Sequence, residues 1–125
     1  MIYESDRVFV VFSNPRLMPG HLLVIPKHHA EKLSEFTQED KTELFQVVEK
    51  YEEKILKNVA TGCDIRQNYR PFIVQGRTKV NHMHFHLMPR EFEDSFYQEV
   101  MKYERAVFKD LTEAEMEEYK MLLEK

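Results

Sequence analysis

Apolar and polar positions change rhythm three times along the chain. Residues 7–12 (Arg-Val-Phe-Val-Val-Phe) and 21–26 (His-Leu-Leu-Val-Ile-Pro) are short runs rich in β-branched and aromatic residues, side chains that suit a pleated, half-buried surface. Asn14-Pro15 and Pro19-Gly20 punctuate the stretch between them. A strand pair joined by a loop is predicted. After Thr37 the period lengthens. Leu44, Val48, Tyr51, Ile55 and Val59 recur at helical spacing, and Glu49, Lys50, Glu52 and Glu53 supply a wet face. Thr37 with Asp40 three residues on resembles a capping box in which Asp replaces the usual Glu. A shorter helical turn over 30–36 precedes it.

Strand rhythm returns after Gly62. Residues 63–69 are ambiguous, 71–75 read as a strand ended by Gly76, and 76–79 as a turn. Residues 80–88 read as a strand closed by Pro89, with polar and apolar side chains alternating from His82 to Leu87. The tail turns helical: Phe96, Val100, Tyr103, Val107 and Leu111 form one stripe, and Thr112 with Glu115 marks a second capping box opening a last helix. The tail is expected to pack on the core or on a partner chain, with a lid over a site as the alternative.

Length and composition narrow the class. At 125 residues the chain suits one domain with one core, and 42% hydrophobic with 32% charged content is ordinary for a globular protein. Few glycines and prolines, no repeat and no low-complexity stretch argue against an internal hinge. The expected organisation is one domain, with a motif-bearing core over 1–91 and a helical extension over 92–125. No apolar run reaches the roughly 20 residues of a membrane helix, and the N-terminus lacks a signal-peptide pattern. The single Cys63 excludes an internal disulfide and a cysteine zinc site. A cytoplasmic protein without membrane contact is expected. The net charge of −4 and the absence of a dense basic block disfavour a nucleic-acid partner but not a small phosphate ligand.

The candidate chemistry lies in the alternating segment. Three of the six histidines, His82, His84 and His86, occupy alternate positions and share one strand face, leaving Met83, Phe85 and Leu87 to the other. Three readings stand. Idle imidazoles would crowd titratable groups at a cost. A metal site is hampered because His82 and His86 would have α-carbons about 13 Å apart, too far for all three rings to converge on one ion at about 2 Å; two could do so with His29 or a carboxylate. Nucleophilic catalysis fits best: one ring nitrogen attacks phosphorus while the other is held by an acceptor, and neighbouring rings donate to phosphate oxygens.

His82-Met83-His84-Phe85-His86-Leu87-Met88, followed by Pro89-Arg90, resembles the signature of the histidine triad superfamily. The upstream block Gly20-His21-Leu22-Leu23-Val24-Ile25-Pro26-Lys27-His28-His29 is similar to a second block of that family, and the resemblance runs over residues 3–90. It implies an α+β fold: a mainly antiparallel sheet of about five strands with a long packed helix, followed here by C-terminal helices. It also implies homodimers, no obligate cofactor, and a small-molecule nucleotide substrate. The resemblance further implies hydrolysis of nucleoside phosphoramidates or dinucleoside polyphosphates through a covalent nucleotidyl-histidine, with nucleotidyl transfer, or a nucleotide sensor with little turnover, as the alternatives.

The resemblance assigns roles by position. His84 is the nucleophile, its other nitrogen donating to the His82 carbonyl. His86 contacts the phosphate or leaving group, and His29 orients the His82 ring while His28 is exposed. Asn14 sits near a family acidic residue that binds ribose hydroxyls, and Phe12 is either part of a base pocket or ordinary core. The chain departs from the family's Gly-Gln-(Ser/Thr)-Val: Thr78 and Lys79 take the Gln and Ser/Thr positions, with Lys79 either charging a polyphosphate site or solvated in a turn. Gln75 stands in for an asparagine that some members place beside the nucleophile. Arg90 either reaches an anionic ligand or pairs with Glu91 or Glu93.

Overall fold

The computed structural model describes residues 1–76 and 81–125. These fall into two compact units, Met1–Asp94 and Ser95–Lys125, where composition alone suggests one domain with an extension from residue 92.

The first unit is an antiparallel five-stranded sheet with one long helix. The strands are β1 (Tyr3–Glu4), β2 (Val8–Phe12), β3 (Leu22–Pro26), β4 (Gly62–Arg66) and β5 (Phe85–Arg90), in the order β1-β2-β3-β5-β4. Helix α1 spans Gln38–Asn58. A single turn of 3-10 helix, Leu33–Glu35, occupies the shorter helical stretch expected over 30–36.

Side-chain alternation builds the core. Val10 pairs with Val24, Val24 with Phe85, and Leu22 with Leu87. Directly paired residues share a face, so these apolar side chains form one surface. Leu44, Val47, Val48, Tyr51 and Ile55 of α1 join the same buried cluster. Each fully buried aliphatic contributes roughly 1.5–3 kcal/mol by leaving water. Val59, counted in the helical stripe from its spacing, instead falls at the C-cap and is exposed.

The N-terminus of α1 is closed by the expected capping box. Thr37 Oγ1 accepts from the Asp40 N–H at 3.1 Å, and an Asp40 carboxylate oxygen accepts from the Thr37 N–H at 3.4 Å. Asp40 also receives Arg7 at 2.9 Å and faces His28 Nδ1 at 3.3 Å. The hydrogen bond from Arg7 holds the Asp40 carboxyl below its ordinary value. One carboxylate therefore joins the helix start to residues flanking β2 and β3.

Three strand expectations change. The alternating segment enters the ladder only at Phe85 and continues through Pro89 to Arg90. Before it, Met83 N–H donates to Ala30 O at 2.7 Å, so the chain there is held by the segment after β3. Pro89 is tolerated because β3 pairing ends at Leu22–Leu87, leaving β5 paired only with β4 at that point. Residues 71–75 form a turn followed by irregular chain rather than a strand, with the Ile73 N–H donating to Arg70 O. The ambiguous 63–69 region supplies β4 over Gly62–Arg66. Val80 and residues 77–79 lie outside the described residues.

The second unit contains α2 (Ser95–Glu99), a 3-10 stretch (Met101–Ala106) and α3 (Glu113–Leu123), with no buried residue in any of them. The stripe from Phe96 to Leu111 does not form one helix. Its aromatic and β-branched residues have weak helix propensity, and helices this short gain little without a packed face. The Thr112 side chain accepts from the Glu115 N–H, capping α3. Among the described residues, no helix is long and apolar enough to cross a membrane.

Candidate active site

The strand register separates two faces of the sheet. Phe85 and Leu87 point to the α1 side and are buried. His86 points to the other side, paired with Leu23 on β3 and Arg66 on β4. The residues just before β5 continue the histidine row.

Each ring of the row is held by a specific partner, which defines its tautomer. His84 Nδ1 lies 2.9 Å from its acceptor, the His82 carbonyl oxygen. That oxygen can only accept, so Nδ1 carries a proton, and in the neutral form of the ring the lone pair is on Nε2. His82 Nε2 donates to Pro26 O at 2.8 Å. His82 Nδ1 is then left to meet His29 Nδ1, which lies 3.0 Å away. His28, beside it, is exposed and rests near Phe36.

The last ring depends on a histidine to which sequence reasoning assigned no role. Leu17 N–H donates to His21 Nδ1 at 3.1 Å. His21 must therefore carry its proton on Nε2, which lies 2.9 Å from His86 Nδ1. His86 accepts there, and its Nε2–H remains to donate elsewhere. His21 is only 2% exposed. Burial, together with the nearby positive charge of Arg66, pushes its pKa down to about 4. Burial and neighbouring His84, His21, Arg66 and Arg70 push His86 down to about 3. Both rings are neutral at neutral pH. Gly20 makes this placement possible: its φ of +82° turns the chain, and a side chain there would meet Pro89 at 3.2 Å. The one sequence signal for His21 was its position, a polar ring opening an apolar strand directly after Gly20.

A shallow, open depression lies against the row, lined by His82, His84, Glu31, Asn68, Tyr69 and Arg70. Asn68, Tyr69 and Arg70 follow β4 after Gln67, so the β4–β5 pairing carries them to the histidines. None was singled out from sequence. Asn68 lines the depression, whereas Gln75 is exposed and is not among its lining residues.

The remaining expectations divide. Asn14 is exposed in the loop that closes on His21 through Ser13 N–H to His21 O. Phe12 is also exposed rather than core. For Arg90 the expectation was an anionic ligand or a pair with Glu91 or Glu93. Its guanidinium pairs with Asp64 and, through Nε at 2.7 Å, with Asp94. Glu91 instead accepts from Thr61. Thr78 and Lys79 lie outside the described residues. No group of three His, Cys, Asp or Glu among the described residues is arranged to hold a metal ion.

An antiparallel sheet with one packed helix and a histidine row beside an open depression is the architecture of the histidine triad proteins. The HIT domain family model matches residues 1–93, and the chain belongs to that family. It is 33% identical to an uncharacterised HIT-like protein of Methanocaldococcus jannaschii over 90% of this chain and 83% of that one. It is 32% identical to the asymmetrical bis(5'-nucleosyl)-tetraphosphatase of Schizosaccharomyces pombe, over 74% of this chain and 50% of that one. The adenosine 5'-monophosphoramidase of Candida albicans is 28% identical over 74% of this chain and 62% of its own length. Among solved structures, a HIT-like protein from Bartonella henselae superposes with a TM-score of 0.65 at 27% identity, covering 75% of this chain and 69% of that one.

Proposed function

We propose that the chain is a nucleotide hydrolase that works through a covalent nucleotidyl-His84. The observation that carries this is the His84 Nδ1 to His82 carbonyl contact at 2.9 Å, which leaves the Nε2 lone pair on a ring lining an open depression. Relatives named as a tetraphosphatase and a phosphoramidase support the substrate class.

In the first step the Nε2 lone pair forms a bond to the α-phosphorus. The bond from phosphorus to the leaving group breaks, and its electron pair departs with that group. His82 holds the attacking ring through its backbone oxygen and is itself held by Pro26 and His29. The neutral His86 Nε2–H donates to a phosphate oxygen, with His21 fixing its orientation. In the second step water attacks phosphorus, the P–N bond breaks, and its electron pair returns to Nε2. The water proton passes to solvent, and the mononucleotide is released. No cofactor takes part in either step. Asn14 is assigned to the ribose hydroxyls and Asn68 to the phosphate. A cytoplasmic homodimer completes the reading, testable by sedimentation.

Intact-mass spectrometry after brief mixing with adenosine phosphoramidate or diadenosine polyphosphate tests the mechanism. A nucleotide mass added to the parent and not to His84→Ala, with mononucleotide accumulating, is expected. Activity surviving in His84→Ala overturns it. Adduct discharge to an added phosphate compound rather than to water would make the protein a nucleotidyl transferase.

A further inference from the structure

Charged side chains of both signs flank the histidine row. At the His82 end, Glu31 follows Ala30, whose carbonyl accepts from Met83 N–H. At the His86 end, Arg66 stands directly across the ladder on the same sheet face. Arg70, four residues further on, is exposed and lines the depression together with His82, His84 and Glu31. No carboxylate of the described residues lies within ion-pairing distance of the Arg70 guanidinium. Arg90, by contrast, is taken up by two aspartates.

We propose that Arg70 is a specificity-determining residue that holds a phosphate of the leaving group, so that the site selects nucleotides whose leaving group is itself a phosphate chain. This rests on the hydrolase reading above and names the substrate within it. An arginine fork matches phosphate oxygens and retains its charge at any working pH. The chemistry of the row points the same way. His21 and His86 are neutral at neutral pH, so they offer a hydrogen bond but no imidazolium proton. An amine leaving group must gain a proton as its P–N bond breaks. A phosphate chain leaves with the electron pair on the bridging oxygen and needs only cations to receive that charge. Arg70 supplies one within the depression.

Two measurements on the full chain test this. The first is calorimetric binding of inorganic tripolyphosphate to the parent, Arg70→Ala and Arg70→Lys. Arg70→Ala should weaken binding about 10- to 100-fold, the worth of one charge-assisted hydrogen bond, and Arg70→Lys should restore part of it. The second is kcat/KM on diadenosine tetraphosphate relative to adenosine phosphoramidate. Arg70→Ala should lower that ratio at least about tenfold. An unchanged ratio, or tripolyphosphate binding unaffected by Arg70→Ala, overturns the proposal. If the parent forms no His84 adduct and releases no mononucleotide, the hydrolase reading fails, and tripolyphosphate binding still decides whether Arg70 holds phosphate.

Discussion

His21 Nε2 meets His86 Nδ1 at 2.9 Å, across 65 positions of sequence. The Leu17 N–H behind His21 makes the pair directional: each ring accepts at Nδ1 and carries its proton on Nε2. His86 is thereby fixed in orientation and tautomer before any ligand arrives.

Removing that support should impair catalysis without touching the nucleophile. His21→Ala is expected to lower kcat/KM about 10- to 100-fold, the scale associated with misplacing a reacting group. Nitrogen-15 NMR of the imidazoles should show His86 losing its single tautomer. A variant with parent kinetics and an unchanged His86 spectrum would remove His21 from the site.

The same pair makes stability depend on pH. In the unfolded chain both rings take up protons near pH 6.5. In the folded chain they resist until about pH 4 and about pH 3. The unfolded state binds more protons between those limits, so the contribution is complete above pH 6.5 and declines as pH falls toward 4. Scanning calorimetry should show Tm dropping between pH 6.5 and 4.5, before most carboxylates protonate. A flat Tm over that range would refute it.

Arg90 should behave as a structural residue. Its side chain and that of Asp94 are 11% and 7% exposed, and removing one partner leaves a buried charge alone. Arg90→Ala is expected to cost about 3 kcal/mol, read from the denaturant midpoint. A loss of nucleotide affinity with full stability would return Arg90 to the binding site.

Thr37 provides a test of the helix start. Thr37→Ala removes the acceptor for Asp40 N–H and should cost about 1 kcal/mol, while Thr37→Ser should restore most of it. Urea melts of the two variants would show the difference.

Some of this architecture is written locally. The β-branched and aromatic runs of β2 and β3, the helical stripe of α1 and the Thr37–Asp40 cap each follow from local sequence over a few residues, and the histidine row announces itself by spacing alone. Tertiary structure decided the rest, because it depends on register between distant strands. Pairing of β4 with β5 sets Arg66 across from His86 and brings Asn68 and Arg70 to the depression, leaving Gln75 outside it. Pairing of β3 with β5 aligns Leu23 with His86 and delivers buried His21 to its partner. Arg90 looked equally suited to a ligand or to its neighbours in sequence; the position of β4 gave it Asp64, and the turn after β5 gave it Asp94. A side chain's identity shows what it is able to bind. Which partner it meets is settled by strands that find each other across the whole domain.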